Sequence, residues 1–179
     1  MEVFTTEDLP KLLTEGRIFP INRTRYVLME FDFQEDPDFA DAMVQKVMEV
    51  RAIPLIAHAE RYEFVQDDPE IVEEWKKKGC EVQINKGSFM GRFGTGAQQT
   101  AYELLNHNLV TAVASDAHSP IRRTTCMADA YDHLSREYSK EYLDVLFEIN
   151  PRNICNGVKP VRFRRIPFEK TYGWKEHVR

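Results

Sequence analysis

Leu109-Val-Thr-Ala-Val-Ala114, running directly into Ser115-Asp116-Ala117-His118, places a carboxylate and an imidazole at the carboxyl end of a short apolar run rich in β-branched residues. A run of that length and composition reads as a buried strand. Earlier in the chain Ile53-Pro-Leu-Ile-Ala57 follows the same pattern, passing into His58-Ala-Glu60-Arg61. In parallel α/β sheets and barrels, ligands and metals sit at the carboxyl ends of the strands, where loops open and side chains converge. The two strand ends therefore point at one site.

The pattern continues outward in both directions. Tyr26-Val-Leu-Met-Glu-Phe-Asp-Phe33 reads as a strand, and residues 37–51 carry Phe39, Met43, Val47 and Val50 on one helical stripe. After residues 53–57, Asp68-Pro69-Glu70 opens a helix with a capping acid, a proline in the first turn and a carboxylate near the positive end of the dipole, and Gly79 closes it. Residues 80–85 form a third strand, 96–108 a helix with Ala97, Ala101, Leu104 and Leu105 inward, and 109–114 a fourth strand; residues 2–5 are a candidate fifth. Met127, Ala130, Tyr131, Leu134 and Tyr138 then share one apolar helical face. Alternation at this spacing means stacked βαβ units and a largely parallel sheet or barrel. A closed parallel barrel usually takes eight strands, so the chain falls short of one.

The remaining composition bounds the class. With 179 residues, 42% of them hydrophobic, one substantial core and a single domain are expected. No apolar stretch is long enough to span a bilayer and no signal region opens the chain, so a cytoplasmic location is expected. Cys80, Cys126 and Cys155 are odd in number and widely spaced, which fits reduced thiols. Residues 159–179 carry seven Lys or Arg against two Asp or Glu, a net of +5 that leaves −10 on the preceding residues. Such a basic tail on an acidic body meets an acidic partner, phosphates or a membrane surface, or else is a solvated or self-docked terminus.

Histidine and aspartate ligate divalent metals such as zinc or manganese, and a bound ion lowers the pKa of its water toward ~7, which suits hydrolysis. Arg61 and Arg123, three residues past His58 and five past His118, offer guanidinium forks that match two oxyanion oxygens. Taken singly, an Asp-x-His pair also fits a hydrogen-bonded core histidine, and the two arginines also fit surface ion pairs. His107 and His133 lie on amphipathic helices and are expected at the surface rather than as ligands.

Glu2-Val-Phe, Tyr26-Val-Leu-Met-Glu-Phe31, Ile56-Ala-His58-Ala-Glu-Arg61, Gln83-Ile-Asn-Lys-Gly-Ser88, Ala114-Ser-Asp116-Ala-His118 and Asn150-Pro151 stand in the order and spacing of one bacterial family. Up to about Val158 the chain resembles the manganese-dependent protein-tyrosine phosphatases of capsule and exopolysaccharide loci, members of the polymerase-and-histidinol-phosphatase superfamily. The resemblance implies a distorted, TIM-like seven-stranded α/β barrel with three metal ions, usually manganese, at the carboxyl ends of its strands. It implies attack by a metal-bound hydroxide on phosphotyrosine, on the tail of a membrane-associated kinase that controls polysaccharide export. By motif position Glu2, His58, Asp116 and His118 match metal ligands, and Arg61 and Arg123 match arginines of phosphate binding and catalysis.

Family members open with a His-x-His pair upstream of the position matched by Glu2, and no two of the five histidines here are two residues apart. The expectation is therefore an incomplete barrel lacking its N-terminal strands. Residues 1–158 would be its C-terminal portion and 159–179 a basic tail, with exposed strand edges open to self-association. Such a chain is expected to be a fragment of a longer product; if it does not turn over phosphate, it is a noncatalytic kinase-binding module. Histidinol phosphate hydrolysis stays open, because the Asp-x-His chemistry is shared and fold does not fix substrate. Cysteine-based tyrosine phosphatases are excluded: they need an arginine six residues after the nucleophile, where Lys86, Asp132 and Val161 stand. The segment Gly91-Arg-Phe-Gly94-Thr-Gly96 lacks the pattern of a nucleotide loop and reads as a flexible turn.

Overall fold

The computed structural model describes residues 2–119, 121 and 124–168. Among them five strands, β1 (Glu2–Phe4), β2 (Tyr26–Glu30), β3 (Ile53–Ile56), β4 (Glu81–Asn85) and β5 (Ala112–Ala114), form one sheet in the order β1-β2-β3-β4-β5. Every neighbouring pair is parallel. Strand order follows chain order without the reversal of a doubly wound sheet, so successive right-handed crossovers stay on one face. The connections include α1 (Leu9–Thr14), α2 (Pro37–Glu49), α3 (Glu63–Asp67), α4 (Glu70–Lys78), α5 (Lys86–Phe89) and α6 (Thr95–Asn106). After β5 come α7 (Ala128–Leu134), α8 (Lys140–Asp144), a π-helical turn over Val145–Ile149 and α9 (Asn150–Cys155).

Partnered residues on parallel strands point to the same side, which sorts the two faces directly. Val27, Met29, Phe31, Ile56, Val82 and Ile84 are buried with Met43, Val44 and Val47 of α2 and Trp75 of α4, and this is the main core. On the other face the register Glu2↔Leu28, Leu28↔Leu55 and Leu55↔Glu81 sets one inward row, and Glu30, Gln83 and Asn85 follow at two-residue steps. That face is apolar only near the amino ends of the strands, where Tyr26, Leu55 and Ile154 pack with Leu28 and Ile53. The rest is polar, and it leads to the site.

The expected elements are present, with shifts that have local causes. Asp36 caps α2 by accepting from the Asp38 N–H at 2.8 Å, with Pro37 in the first turn. Asp68 Oδ1 accepts from the Glu70 N–H at 3.1 Å, and Gly79, at φ +112°, closes α4 in the left-handed conformation that its missing Cβ permits. The apolar run at 109–114 yields strand only over Ala112–Ala114. Asn108, at φ +56°, closes the turn after α6, and the Leu109 N–H donates back to the Leu104 carbonyl at 2.9 Å, so Leu109 belongs to the helix end, while the Thr111 N–H already donates to the Val82 carbonyl of β4 at 2.8 Å.

Cys80 is buried and Cys126 and Cys155 are exposed, and all three are free thiols. No helix among the described residues is long and apolar enough to cross a membrane. The basic terminus is self-docked as far as it is described: Arg162 pairs with Glu81 at 2.6 Å and Arg165 with Glu73 at 2.9 Å. Residues 169–179 lie outside the described residues.

Candidate metal centre

At the carboxyl end of β3 the chain turns sharply. His58 has φ +34° and ψ +50°, left-handed values that cost a side chain with a Cβ, and the turn over Ala59–Arg61 follows at once. Tyr62 holds the geometry from beneath. Its buried hydroxyl donates to the Ala57 carbonyl at 2.9 Å and accepts from the Phe31 N–H at 3.1 Å, tying the ends of β2 and β3 together.

This places the His58 Nε2 3.2 Å from Oε1 of Glu2 and 3.2 Å from Oε1 of Glu30. The imidazole is 2% exposed and the two carboxylates about a third. Ligand atoms of Glu2, Glu30 and His58 all lie within 4.8 Å of one another. Burial alone would lower the imidazole's pKa, but the hydrogen bond with Glu2 and the charges of Glu60, Glu2 and Glu30 outweigh it and hold the pKa above the ordinary 6.5. The trio thus calls for positive charge: an imidazolium supplies one unit, a divalent cation two.

Glu60, 0% exposed, braces the same turn. Its Oε1 accepts from the Asn85 N–H at 3.0 Å and from the Ser88 hydroxyl, linking β3 to the junction of β4 and α5. Burial raises its carboxyl pKa despite those bonds. Glu60 Oε2 and His58 Nδ1 are both buried without a hydrogen-bond partner. A metal taking Nε2 leaves Nδ1–H as the outward donor that a ligating histidine presents, and a carboxylate is its usual acceptor. Two carboxylates, one ring nitrogen and this unspent second layer fit a borderline-hard divalent ion.

Asp116 follows β5 at φ +46°, the second left-handed residue at a strand end. Its Oδ2 accepts from Asn85 Nδ2 at 2.7 Å, and Asn85 Oδ1 in turn accepts from Gln83 Nε2 at 2.7 Å. Arg61 Nη1 lies 4.0 Å from the same Oδ2. His118 is 59% exposed, and its Nδ1 sits 2.9 Å from the Asp116 carbonyl and 3.3 Å from its Oδ1. Lys86 reaches from the start of α5 to the Cys126 carbonyl and, at 3.3 Å, to Asp129 of α7.

Glu2, Glu30, Phe33, His58, Arg61, Asp116 and His118 line one cavity of about 240 Å³. Four expected ligands and Arg61 therefore meet at one opening, with Glu2, Glu30 and His58 as the tight group and Asp116 and His118 outside it. Arg123 lies outside the described residues. His107 and His133 are far from a ligand role: His107 Nδ1 contacts the Ile166 carbonyl at 2.7 Å, and His133 Nε2 the Tyr102 hydroxyl at 2.9 Å. Both are half-buried rather than at the open surface. Glu30 was not among the expected ligands, although it ends an apolar strand just as His58 and Asp116 follow theirs.

Residues 1–156 match the family described as capsular polysaccharide synthesis, CpsB/CapC. The chain belongs to that family. It is 32% identical over 136 residues to the tyrosine-protein phosphatase YwqE of Bacillus subtilis (strain 168), which covers 76% of this chain and 54% of that protein. It is 31% identical over 158 residues to the tyrosine-protein phosphatase CpsB of Streptococcus pneumoniae, covering 86% and 65%. Among solved structures, one of the metal-dependent tyrosine phosphatases YwqE and CpsB superposes with a TM-score of 0.85 at 27% identity, over 95% of this chain and 68% of that one. The chain spans between about half and two thirds of the length of these two curated relatives. The family agrees with the one its motifs resemble.

Proposed function

We propose that this chain carries part of the active site of a metal-dependent protein-tyrosine phosphatase, in which Glu2, Glu30, His58, Asp116 and His118 hold metal and Arg61 receives the phosphate. The observation that carries the reading is the convergence of two carboxylates on one buried imidazole nitrogen, 3.2 Å from each, in a cavity that Arg61 also lines. The five singly wound strands then belong to a distorted seven-stranded barrel, with residues 1–158 its C-terminal portion and 159–179 a basic tail. The relatives' names support phosphotyrosine as substrate, and the resemblance of the motifs implies a membrane-associated tyrosine kinase as the protein that carries it.

Manganese, in a cluster of three ions, fits the mixed carboxylate and imidazole donors. When bound it supplies a water of lowered pKa and positive charge for the phosphate oxygens. The chain's own residues do the rest. Glu2 and Glu30 fix the donor geometry around His58, and the Asn85 amide turns the Asp116 carboxylate toward the cavity. Asp116 also faces the Arg61 guanidinium, whose fork is left to take two phosphate oxygens. Arg123 is assigned to phosphate binding by motif position.

The test is hydrolysis of a phosphotyrosine peptide with and without manganese, measured on this chain and on the full gene product where that is longer, beside histidinol phosphate as competitor. Manganese-stimulated, phosphotyrosine-selective turnover that Asp116→Ala abolishes, with weakened metal binding, is the expected result. Preference for histidinol phosphate, or metal binding without turnover, overturns the assignment.

A further inference from the structure

Arg61 is held by more than Asp116. Its guanidinium carbon lies over two aromatic rings, 4.2 Å from the centroid of Phe33 and 4.3 Å from that of Phe93. Both distances are well inside cation–π range, and the arginine is only 20% exposed, so the attraction is partly desolvated. Phe33 follows β2, and its ring also tilts against His58 at 5.7 Å between centroids. Phe93 comes from the turn between α5 and α6 that separates Gly91 from Gly94.

That turn is not a free loop. The Arg92 N–H donates to the Gly87 carbonyl at 2.8 Å, and Gln98 Nε2 donates to the Phe89 carbonyl at 3.0 Å. The Phe93 ring rests against Gly87 itself: a Cβ there would stand 2.6 Å from Phe93 Cε2 and 3.0 Å from Cζ. Glycine at position 87 therefore makes the seat for this ring, two residues beyond Asn85 and next to Ser88, which serve Asp116 and Glu60.

We propose that Phe93, seated on Gly87, is a positioning residue that with Phe33 clamps the Arg61 guanidinium edge-on to the cavity, in the orientation that accepts a phosphate. This rests on the phosphate role given to Arg61 above. A guanidinium held against two aromatic faces keeps its N–H edge free, because the rings take only its π faces. The clamp thus fixes the plane of the fork without consuming its donors. It also spares the site a second acidic partner, which would compete with an incoming phosphate.

Two measurements on the intact chain test it: the ring-current shift of the Arg61 side-chain resonances by NMR, and binding of inorganic phosphate to the manganese-loaded protein by calorimetry. Phe93→Leu and Gly87→Ala should both cut the upfield shift to the share that Phe33 supplies and weaken phosphate binding roughly threefold to tenfold, with manganese affinity unchanged. Phe93→Tyr should restore both. Gly87→Ala adds only a methyl group within a helical turn, so its backbone is at no disadvantage. Arg61→Ala should cost roughly 30-fold in phosphate affinity. If Arg61→Ala weakens phosphate binding while Phe93→Leu and Gly87→Ala bind like wild type, the clamp is refuted and the role of Arg61 stands. Were Arg61→Ala itself to bind phosphate like wild type, that role would fall, and the clamp's function with it.

Discussion

The inward face of the sheet carries two polar clusters, one at the amino end of β4 and one at the carboxyl ends of β2 and β3, and they are built on opposite terms. At the amino end Glu81, 2% exposed, accepts from Lys76 Nζ at 2.6 Å, from the Thr111 hydroxyl at 2.6 Å and from Arg162 at 2.6 Å. Lys76 also reaches Thr111 at 2.6 Å, and none of these atoms is left buried without a partner. At the carboxyl end Glu2 and Glu30 crowd one imidazole, while His58 Nδ1 and Glu60 Oε2 stay buried and unpaired. The first cluster is complete within the chain and so serves stability. The second keeps two unpaired buried atoms and an excess of carboxylate, which suits the metal site proposed above.

Substitutions should separate the two ends. The largest effect expected is Lys76→Met, which takes the closest cation from a buried carboxylate and should lower stability by about 3 kcal/mol in urea unfolding, with manganese affinity unchanged. Glu30→Gln should do the reverse. Isothermal titration should show roughly a 100-fold loss of manganese affinity, while the metal-free protein keeps its stability or gains some, since one of two facing charges is gone. Wild type with manganese at about a hundred times its Kd should gain about 2.7 kcal/mol, of which the variant keeps about 0.4 kcal/mol at the same concentration.

Asn85→Ala, which frees Asp116 from its amide donor, should weaken manganese binding or turnover about tenfold. The smallest effect concerns acid. Lys76, Thr111 and Arg162 outweigh burial and hold the Glu81 carboxyl below its ordinary 4.5, so its contribution is fully present above that value and is lost as pH falls through the lower folded one. Arg162→Met, at a partly exposed partner, should remove about 1 kcal/mol of it and bring acid unfolding on at higher pH. If Lys76→Met proved mild and Glu30→Gln unfolded the protein, the contrast between the ends would be broken.

Much of this was legible in the chain. The alternation of apolar runs with helical stripes gives the parallel sheet, because a period of two against one of 3.6 is a property of the residues alone. The rule that chemistry follows a strand's carboxyl end brought His58, Arg61, Asp116 and His118 to one cavity. Applied to Tyr26-Val-Leu-Met-Glu30 it would also have found Glu30. An acid inside an aromatic and aliphatic run reads as simple alternation, so the run by itself does not mark Glu30 as a ligand. Glu2 reaches the site from the first residue of β1 because the register sets it opposite Leu28, one inward step from Glu30. No local pattern encodes that stagger. Phe93 was hidden in a glycine-rich turn read as flexible; its anchorage depends on Gly87 lying within reach, a tertiary fact.

His58 and Asp116 share a backbone handedness that L-residues resist, and glycine would take it freely. The scaffold would therefore be sturdier with its chemistry erased at those two points. A descendant released from selection for turnover should drift toward glycine or asparagine there and grow more heat-resistant as it falls silent, so that unusual robustness in a sister sequence would be a sign of retirement.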